Sequence, residues 1–310
     1  MAMNRLLRAG LKAVSYAELS VRKHYKLYRR VTNLFHKHYL RPFYKIWDHQ
    51  IPVGEHNIPV RIFSPKITGE FPVLLFFHGG GWVTGNIDSY DRVCTNLARH
   101  TGCTVVSVDY RLAPEHHFPA AVEDCYLAAR EVFAHPELLN TTKEQITLIG
   151  DSAGGNLVAA VCLIAKERGE FTPQRQILLY PATYNDHTEA SPFPSVRENG
   201  KDYFLTSQRV QDYMDLYMGS PKDRESPYFA PLLAEDLRGQ PRALIITAEY
   251  DPLRDEGEAY AAKLQKFGND VTLYRMEDAL HGFISLRATA AHVKKAYGYI
   301  NKFLKEAREQ

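Results

Sequence analysis

The sequence predicts an α/β fold: a mainly parallel sheet covered by helices on both faces, with a helical cap. Two observations carry that prediction. Apolar runs rich in β-branched residues recur along the chain, and most are followed by a stretch with helical periodicity. A chain of 310 residues, 45% hydrophobic and 24% charged, can bury one large core, and its length suits a single α/β core with inserted segments.

The first element is a helical arm. Apolar residues step by three and four through Leu7, Leu11, Val14, Val21, Tyr25, Tyr28, Phe35 and Tyr39, with breaks at Glu18 and Thr32 that suit one bend. Pro42 disfavours helix at Arg41 and ends it. The aromatic stripe needs a surface to pack on, and the later core supplies one. Residues 1–45 hold eleven Lys and Arg against the single acid Glu18, a local charge of +10 within a chain of net +2. A solvated helix face is the favoured reading of that charge; contact with an anionic membrane surface is the alternative, and no nucleic-acid partner is expected.

Residues 48–65 are broken by Pro52, Gly54, Pro59 and Pro65 and read as two short antiparallel strands. Strand and helix then alternate. Strands are expected at 72–77, 104–110, 145–150, 176–180, 242–250 and 271–276, and helices at 88–101, 119–134, 152–168, 255–267 and 289–306. Residues 181–240 break the alternation with prolines, charges and one helical piece near 207–218, which reads as an insertion over the strands' C-terminal edge. The predicted organisation is a cap segment (1–48), a first core part (49–182), a cap insertion (183–235) and a second core part (236–310).

Several classes are disfavoured. No run approaches eighteen apolar residues, so no spanning helix is expected. The opening MAMNRLLRAGLKAV is too charged for a secretory leader, which points to the cytoplasm. Cys94, Cys103, Cys125 and Cys162 form no CxxC pair, so neither a zinc site nor a redox pair is expected, and they read as reduced and mostly buried. His116 and His117 lack a second ligand cluster nearby.

The chemistry sits at four strand ends. The run ITLI leads into Gly150-Asp151-Ser152-Ala153-Gly154 and then an apolar helix, which is G-x-S-x-G between strand and helix. A nucleophile stands clear of the sheet on a turn tight enough only if the residues two before and two after lack side chains. The plainer alternative is a glycine-rich turn with serine as helix N-cap; a phosphate loop would need a Gly-Lys-Ser/Thr that is missing. After PVLLFF comes His78-Gly79-Gly80-Gly81-Trp82, whose glycines let bare N–H groups approach a ligand. Gly80, Gly81 and Ala153 are the expected oxyanion donors, and His78 a loop-holding residue. Asp251 and His281 follow two later strands at the same sheet edge, in the order serine, acid, histidine. They are the expected orienter and base, with Glu249, Asp255, Glu256 and Asp278 as rival acids.

Together HGGGW (78–82), DYRLAPEHHFPAAVED (109–124), GDSAGGN (150–156), AEYDPLRDEG (248–257) and HGF (281–283) resemble the hormone-sensitive-lipase-like family of α/β-hydrolase carboxylesterases. The resemblance implies the α/β-hydrolase fold, a cap made of the N-terminal segment and the insertion, and no cofactor. It also implies short- or medium-chain esters as substrates, frequent dimers, and a triad of Ser152, Asp251 and His281. Glu198 and Tyr203 resemble the family's cap-side pocket residues, and Trp82, beside the donors, is a third expected substrate contact. Amide hydrolysis on the same triad, action at an oil interface, and a non-catalytic binding protein of the same fold are the competing functions.

Overall fold

In the computed structural model the described residues are 20–34, 46–54, 56–66 and 68–306. The expected arm residues Leu7, Leu11, Val14, Phe35 and Tyr39, and the helix stop at Arg41, lie outside them. One sheet of eight strands organises the rest: β1 (Ile46–Val53), β2 (His56–Phe63), β3 (Val73–Phe77), β4 (Thr104–Val108), β5 (Ile146–Asp151), β6 (Arg175–Leu179), β7 (Arg242–Tyr250) and β8 (Val271–Leu280), in spatial order β1-β2-β4-β3-β5-β6-β7-β8. The pairs β1–β2 and β2–β4 are antiparallel, and from β4 to β8 all neighbours run parallel.

The helices are α1 (Val21–Leu34), α2 (Asp91–Thr101), α3 (Ala120–Ala134), α4 (Ala153–Arg168), α5 (Pro194–Glu198), α6 (Ser207–Tyr217), α7 (Arg254–Lys266) and α8 (Ala291–Glu306). Strand residues alternate between two cores, as a period of two requires. Val73, Leu75 and Phe77 join the core under α3, α4 and α7, whereas Leu74 and Phe76 join the one under α2 and α8. Helix α4 is buried at every residue of 153–165, which explains its nearly continuous apolar sequence.

Helix α1 is interrupted by non-helical angles at His24, so the bend lies there. Its stripe packs as expected: Val21 is fully buried, and Tyr25 and Tyr28 lie against the core. It also docks on α6, where Ser20 Oγ donates to Asp212 Oδ2 at 3.0 Å and Arg22 pairs with Asp215 at 3.4 Å. The insertion carries α5 and α6; the sequence pointed to α6 alone. Among the described residues no helix is long and apolar enough to cross a membrane.

Candidate active site

Sheet register brings four segments together. Phe77 pairs with Gly150, Asp151 with Leu179, and Tyr250 with Leu280, so His78, Ser152, Asp251 and His281 all follow the last paired residues of strands ending on one edge.

Ser152 sits between β5 and α4 at φ 55°, ψ −120°, a conformation a side chain adopts only when its surroundings impose it. The glycines supply that constraint. A Cβ on Gly150 would lie 2.3 Å from the carbonyl oxygen of Gly154, and one on Gly154 would lie 2.0 Å from that of Phe77. Only bare backbone fits this turn. Ser152 N–H donates to Leu179 O at 2.9 Å, fixing the elbow to β6.

His281 Nε2 lies 2.9 Å from Ser152 Oγ, and its Nδ1 lies 2.7 Å from Asp251 Oδ2. The Asp251 carboxylate is fully buried, and its other oxygen accepts from Leu253 N–H at 2.9 Å. A carboxylate so held keeps the proton on Nδ1 and leaves the Nε2 lone pair toward the serine. Three of the four rival acids are engaged elsewhere. Glu249 accepts from Asp278 N–H at 2.7 Å; Asp255 accepts from Ser195 N–H at 2.7 Å and pairs with Arg254 at 2.8 Å. Buried Glu256 accepts from Thr183 N–H at 2.6 Å and lies 2.6 Å from His187 Nε2.

One expectation needs correction: β8 does not stop at 276 with a loop before His281, but runs to Leu280 through an irregularity opposite Ala248–Tyr250. The polar pair Glu277-Asp278 hides this continuation, because edge strands need no apolar face on both sides.

The glycine loop takes a shape that side chains resist. Gly80, Gly81 and Trp82 have φ of 124°, 60° and 59° in succession. A Cβ on Gly80 would meet Thr84 O at 2.1 Å, and one on Gly81 would meet the Tyr213 ring at 2.3 Å. Among the described residues no acceptor pairs with the amides of Gly80, Gly81 or Ala153, the three expected donors. Gly79 N–H is occupied instead, donating to Asp151 Oδ1 at 2.8 Å. His78 is fully buried, stacks on Tyr110 at 4.3 Å and bonds Gly79 O through Nδ1 at 2.9 Å. Burial lowers its pKa to about 4, so it is a neutral strut beneath the loop.

Three neighbours escaped the sequence reading. Asp151 is buried beside the serine and accepts from Gly79 N–H, from Tyr90 Oη at 3.1 Å and from Tyr180 Oη at 3.4 Å. Burial pushes its pKa up to about 6, against the pull of these donors and of His281. Tyr180 meets the His281 ring edge-on at 4.8 Å and 62°. Asp151 stood in the quoted GDSAG motif, but its partners lie 61 and 72 positions away, which no local pattern reveals.

The expected substrate contacts fall differently. Trp82 is 1% exposed and stacks on Tyr217 at 4.6 Å and 2°, so its expected role as a substrate contact is corrected to that of a packing anchor. Glu198, at the end of α5, is exposed and pairs with Arg254 at 3.1 Å. Tyr203 is buried and stacks on Tyr250 at 4.9 Å, next to the acid. Asn199, beside Glu198, was not expected: its Nδ2 donates to Glu249 O at 3.1 Å and Asp251 O at 3.2 Å, clamping the acid's backbone from the cap side. Among the described residues no group of three or more His, Cys, Asp or Glu is arranged to hold a metal, and His117 Nδ1 bonds Leu216 O at 3.0 Å.

Residues 74–285 match the family described as the α/β-hydrolase fold. The chain is 38% identical over 256 residues to an arylesterase of Saccharolobus solfataricus, covering 82% of each. It is 32% identical over 319 residues to an arylacetamide deacetylase of Oryctolagus cuniculus, covering 81% of this chain and 79% of that one. Among solved structures, a hyperthermophilic esterase from the archaeon Pyrobaculum calidifontis superposes with a TM-score of 0.86 at 36% identity, covering 99% of both chains.

Proposed function

The chain belongs to the α/β-hydrolase fold family, among its hormone-sensitive-lipase-like esterases, and we propose that it is a serine carboxylesterase acting through an acyl-enzyme on small esters of short to medium acyl chain. The observation that carries this is the relay of Ser152 Oγ, His281 and buried Asp251 at 2.9 and 2.7 Å, standing on a strained elbow.

In this reading His281 Nε2 takes the hydroxyl proton as Ser152 Oγ attacks the ester carbonyl, and Asp251 stabilises the imidazolium that results. The charge on the former carbonyl oxygen is met by the amides of Gly80, Gly81 and Ala153, and the last of these begins α4, whose dipole favours an anion there. Imidazolium then protonates the departing alcohol. Water, deprotonated by the same imidazole, cleaves the acyl-serine and restores the start. The arm's described helix α1, docked on α6 of the insertion (183–235), supports a cap built from these two segments, and cap shape sets which acyl and alcohol groups enter. A cytoplasmic location goes with the proposal, consistent with four buried cysteines that are all free thiols.

A fluorophosphonate tests the catalytic reading directly. A mass adduct on Ser152 and turnover of aryl acetates or butyrates are expected, with both abolished in Ser152→Ala. A folded protein that takes no adduct would make it a binding protein of the same fold. The similarity to an arylacetamide deacetylase supports amide hydrolysis as a second activity of the same relay. Matched aryl esters and anilides decide it: comparable kcat/KM on the anilide would establish the amidase reading.

A further inference from the structure

We propose that Arg29, on the basic N-terminal arm, is a positioning residue for the oxyanion loop, so that the arm helps to build the catalytic site. The inference rests on the esterase reading and adds to it a function for the arm's charge.

A loop with three successive positive φ values, the last at the large side chain of Trp82, does not hold itself. Its inner bonds converge on one atom: Gly80 O accepts from Val83 N–H at 3.2 Å, Thr84 N–H at 2.9 Å and Thr84 Oγ1 at 2.9 Å. The carbonyls of Trp82 and Val83 look outward from this turn. Ala113 N–H satisfies the first at 2.9 Å, and Arg29 Nε satisfies the second at 2.5 Å. The same guanidinium donates through Nη2 to Ala113 O at 2.6 Å and grips the Glu115 carboxylate through Nη1 at 2.9 Å and Nη2 at 2.7 Å.

One planar group therefore ties residues 80–84 to residues 113–115. A guanidinium suits this because its donors point in fixed directions, whereas an ammonium on a flexible stem is a point charge. The Tyr25 ring, 5.2 Å from Arg29 Cζ and on the same helix, orients the fork. A second route reinforces it. Tyr213 of α6 fills the space beside Gly81, and α6 is held to the arm by the Ser20–Asp212 bond. Arg29 touches no reacting atom; it acts by keeping the amides of Gly80 and Gly81 where negative charge develops.

The test compares full-length wild type, R29A, R29K and R22A, with active serines counted by fluorophosphonate titration. Three readouts are taken: kcat and KM on an aryl acetate, and inhibition by an aryl trifluoromethyl ketone, whose serine adduct carries an oxyanion. R29A is expected to lose roughly 10- to 100-fold in kcat per titrated serine, a part of what losing one donor outright costs. Its ketone affinity should fall by a similar factor while KM changes less than about twofold. R29K should recover only part of the loss. R22A, which breaks only the exposed pair with Asp215, should match wild type. If R29A does not fold, R29Q, which keeps one side-chain donor, carries the same comparison. Unchanged kcat per titrated serine, or lost kcat with undiminished ketone affinity, overturns the role of Arg29 alone. A wild type inert to both ester and fluorophosphonate overturns the esterase reading and this inference together.

Discussion

Tyr250 and Leu280 face each other across β7 and β8, and this pairing decides where acid and base meet. The preceding pair is Ala248 with Met276, so one residue on β7 is answered by three on β8. Asp278 takes φ 55° inside that bulge, with its N–H held by Glu249 Oε2 at 2.7 Å. The residues that follow the pair, Asp251 and His281, are then 2.7 Å apart.

Asp251→Asn tests what that proximity does. The amide is nearly isosteric, so the buried site stays filled and the fold is expected to survive. Asn can present its NH2 to Nδ1 and so favour the wrong tautomer, with the proton on Nε2. A loss on the order of 10⁴ in kcat is expected, with melting temperature little changed. Activity within tenfold of wild type would remove Asp251 from the relay.

Asp151 gives a pH signature in stability. Burial raises its carboxyl pKa from 3.8 to about 6, so between those values the folded protein holds a proton that the unfolded chain has released. Its contribution to stability is therefore fully present below about pH 3.8 and is lost as pH rises through about 6. Asp151→Asn removes this dependence. The stability of the variant relative to wild type is expected to increase by about 3 kcal/mol from pH 3 to pH 7, the equivalent of two pKa units. Denaturant melts of both proteins across that range check it; a constant difference would mean that the carboxyl is not buried in this way.

Much of this was legible in the sequence, for a physical reason. Runs such as Val73–Phe77 are buried on both faces and so are apolar at every position, and their shortness between Pro72 and the glycine loop marks them as strands. The elbow was legible as a motif that left a plain N-cap turn open, and the structure adds why the motif holds: only glycine fits at 150 and 154. The bulge in β8 was hidden: it depends on a bond between Glu249 and Asp278, and Glu249 had been read only as a rival acid. Helix α5 has just five residues, too few for a periodicity. Trp82 was misread because its nearness in sequence to the donors says nothing of its direction, and the Tyr217 ring that receives it lies on the cap helix α6.

Trp82 offers a test that separates packing from substrate contact. Fully buried and flanked by Tyr217 at 4.6 Å and Phe229 at 6.1 Å, it should cost about 3–5 kcal/mol when changed to Ala, and about 1–2 kcal/mol when changed to Phe. Trp82→Phe, where the protein stays folded, should leave the preference among acyl chain lengths unchanged. A shifted chain-length profile with undiminished stability would restore Trp82 as a pocket residue.

Two glycines in helices should respond oppositely to the same substitution. Gly298 lies in the interior of α8, where alanine is intrinsically favoured by up to about 1 kcal/mol, and Gly154 lies in the first turn of α4. At Gly298 nothing lies within 4 Å of an added Cβ, so Gly298→Ala should stabilise by about 0.5–1 kcal/mol and leave activity alone. At Gly154 the Cβ would stand 2.0 Å from Phe77 O and 2.7 Å from His78 O, both backbone atoms that cannot rotate away. Relief requires the end of β3 to move by an ångström or more, carrying the glycine loop with it. Overpacking of about 1–3 kcal/mol then outweighs propensity, and kcat should fall roughly 100-fold because an ångström of misplacement costs about that much. Thermal melts and kcat on the two variants check the contrast. A Gly154→Ala protein as stable and active as wild type would show that the elbow does not press on the strand that holds the donors.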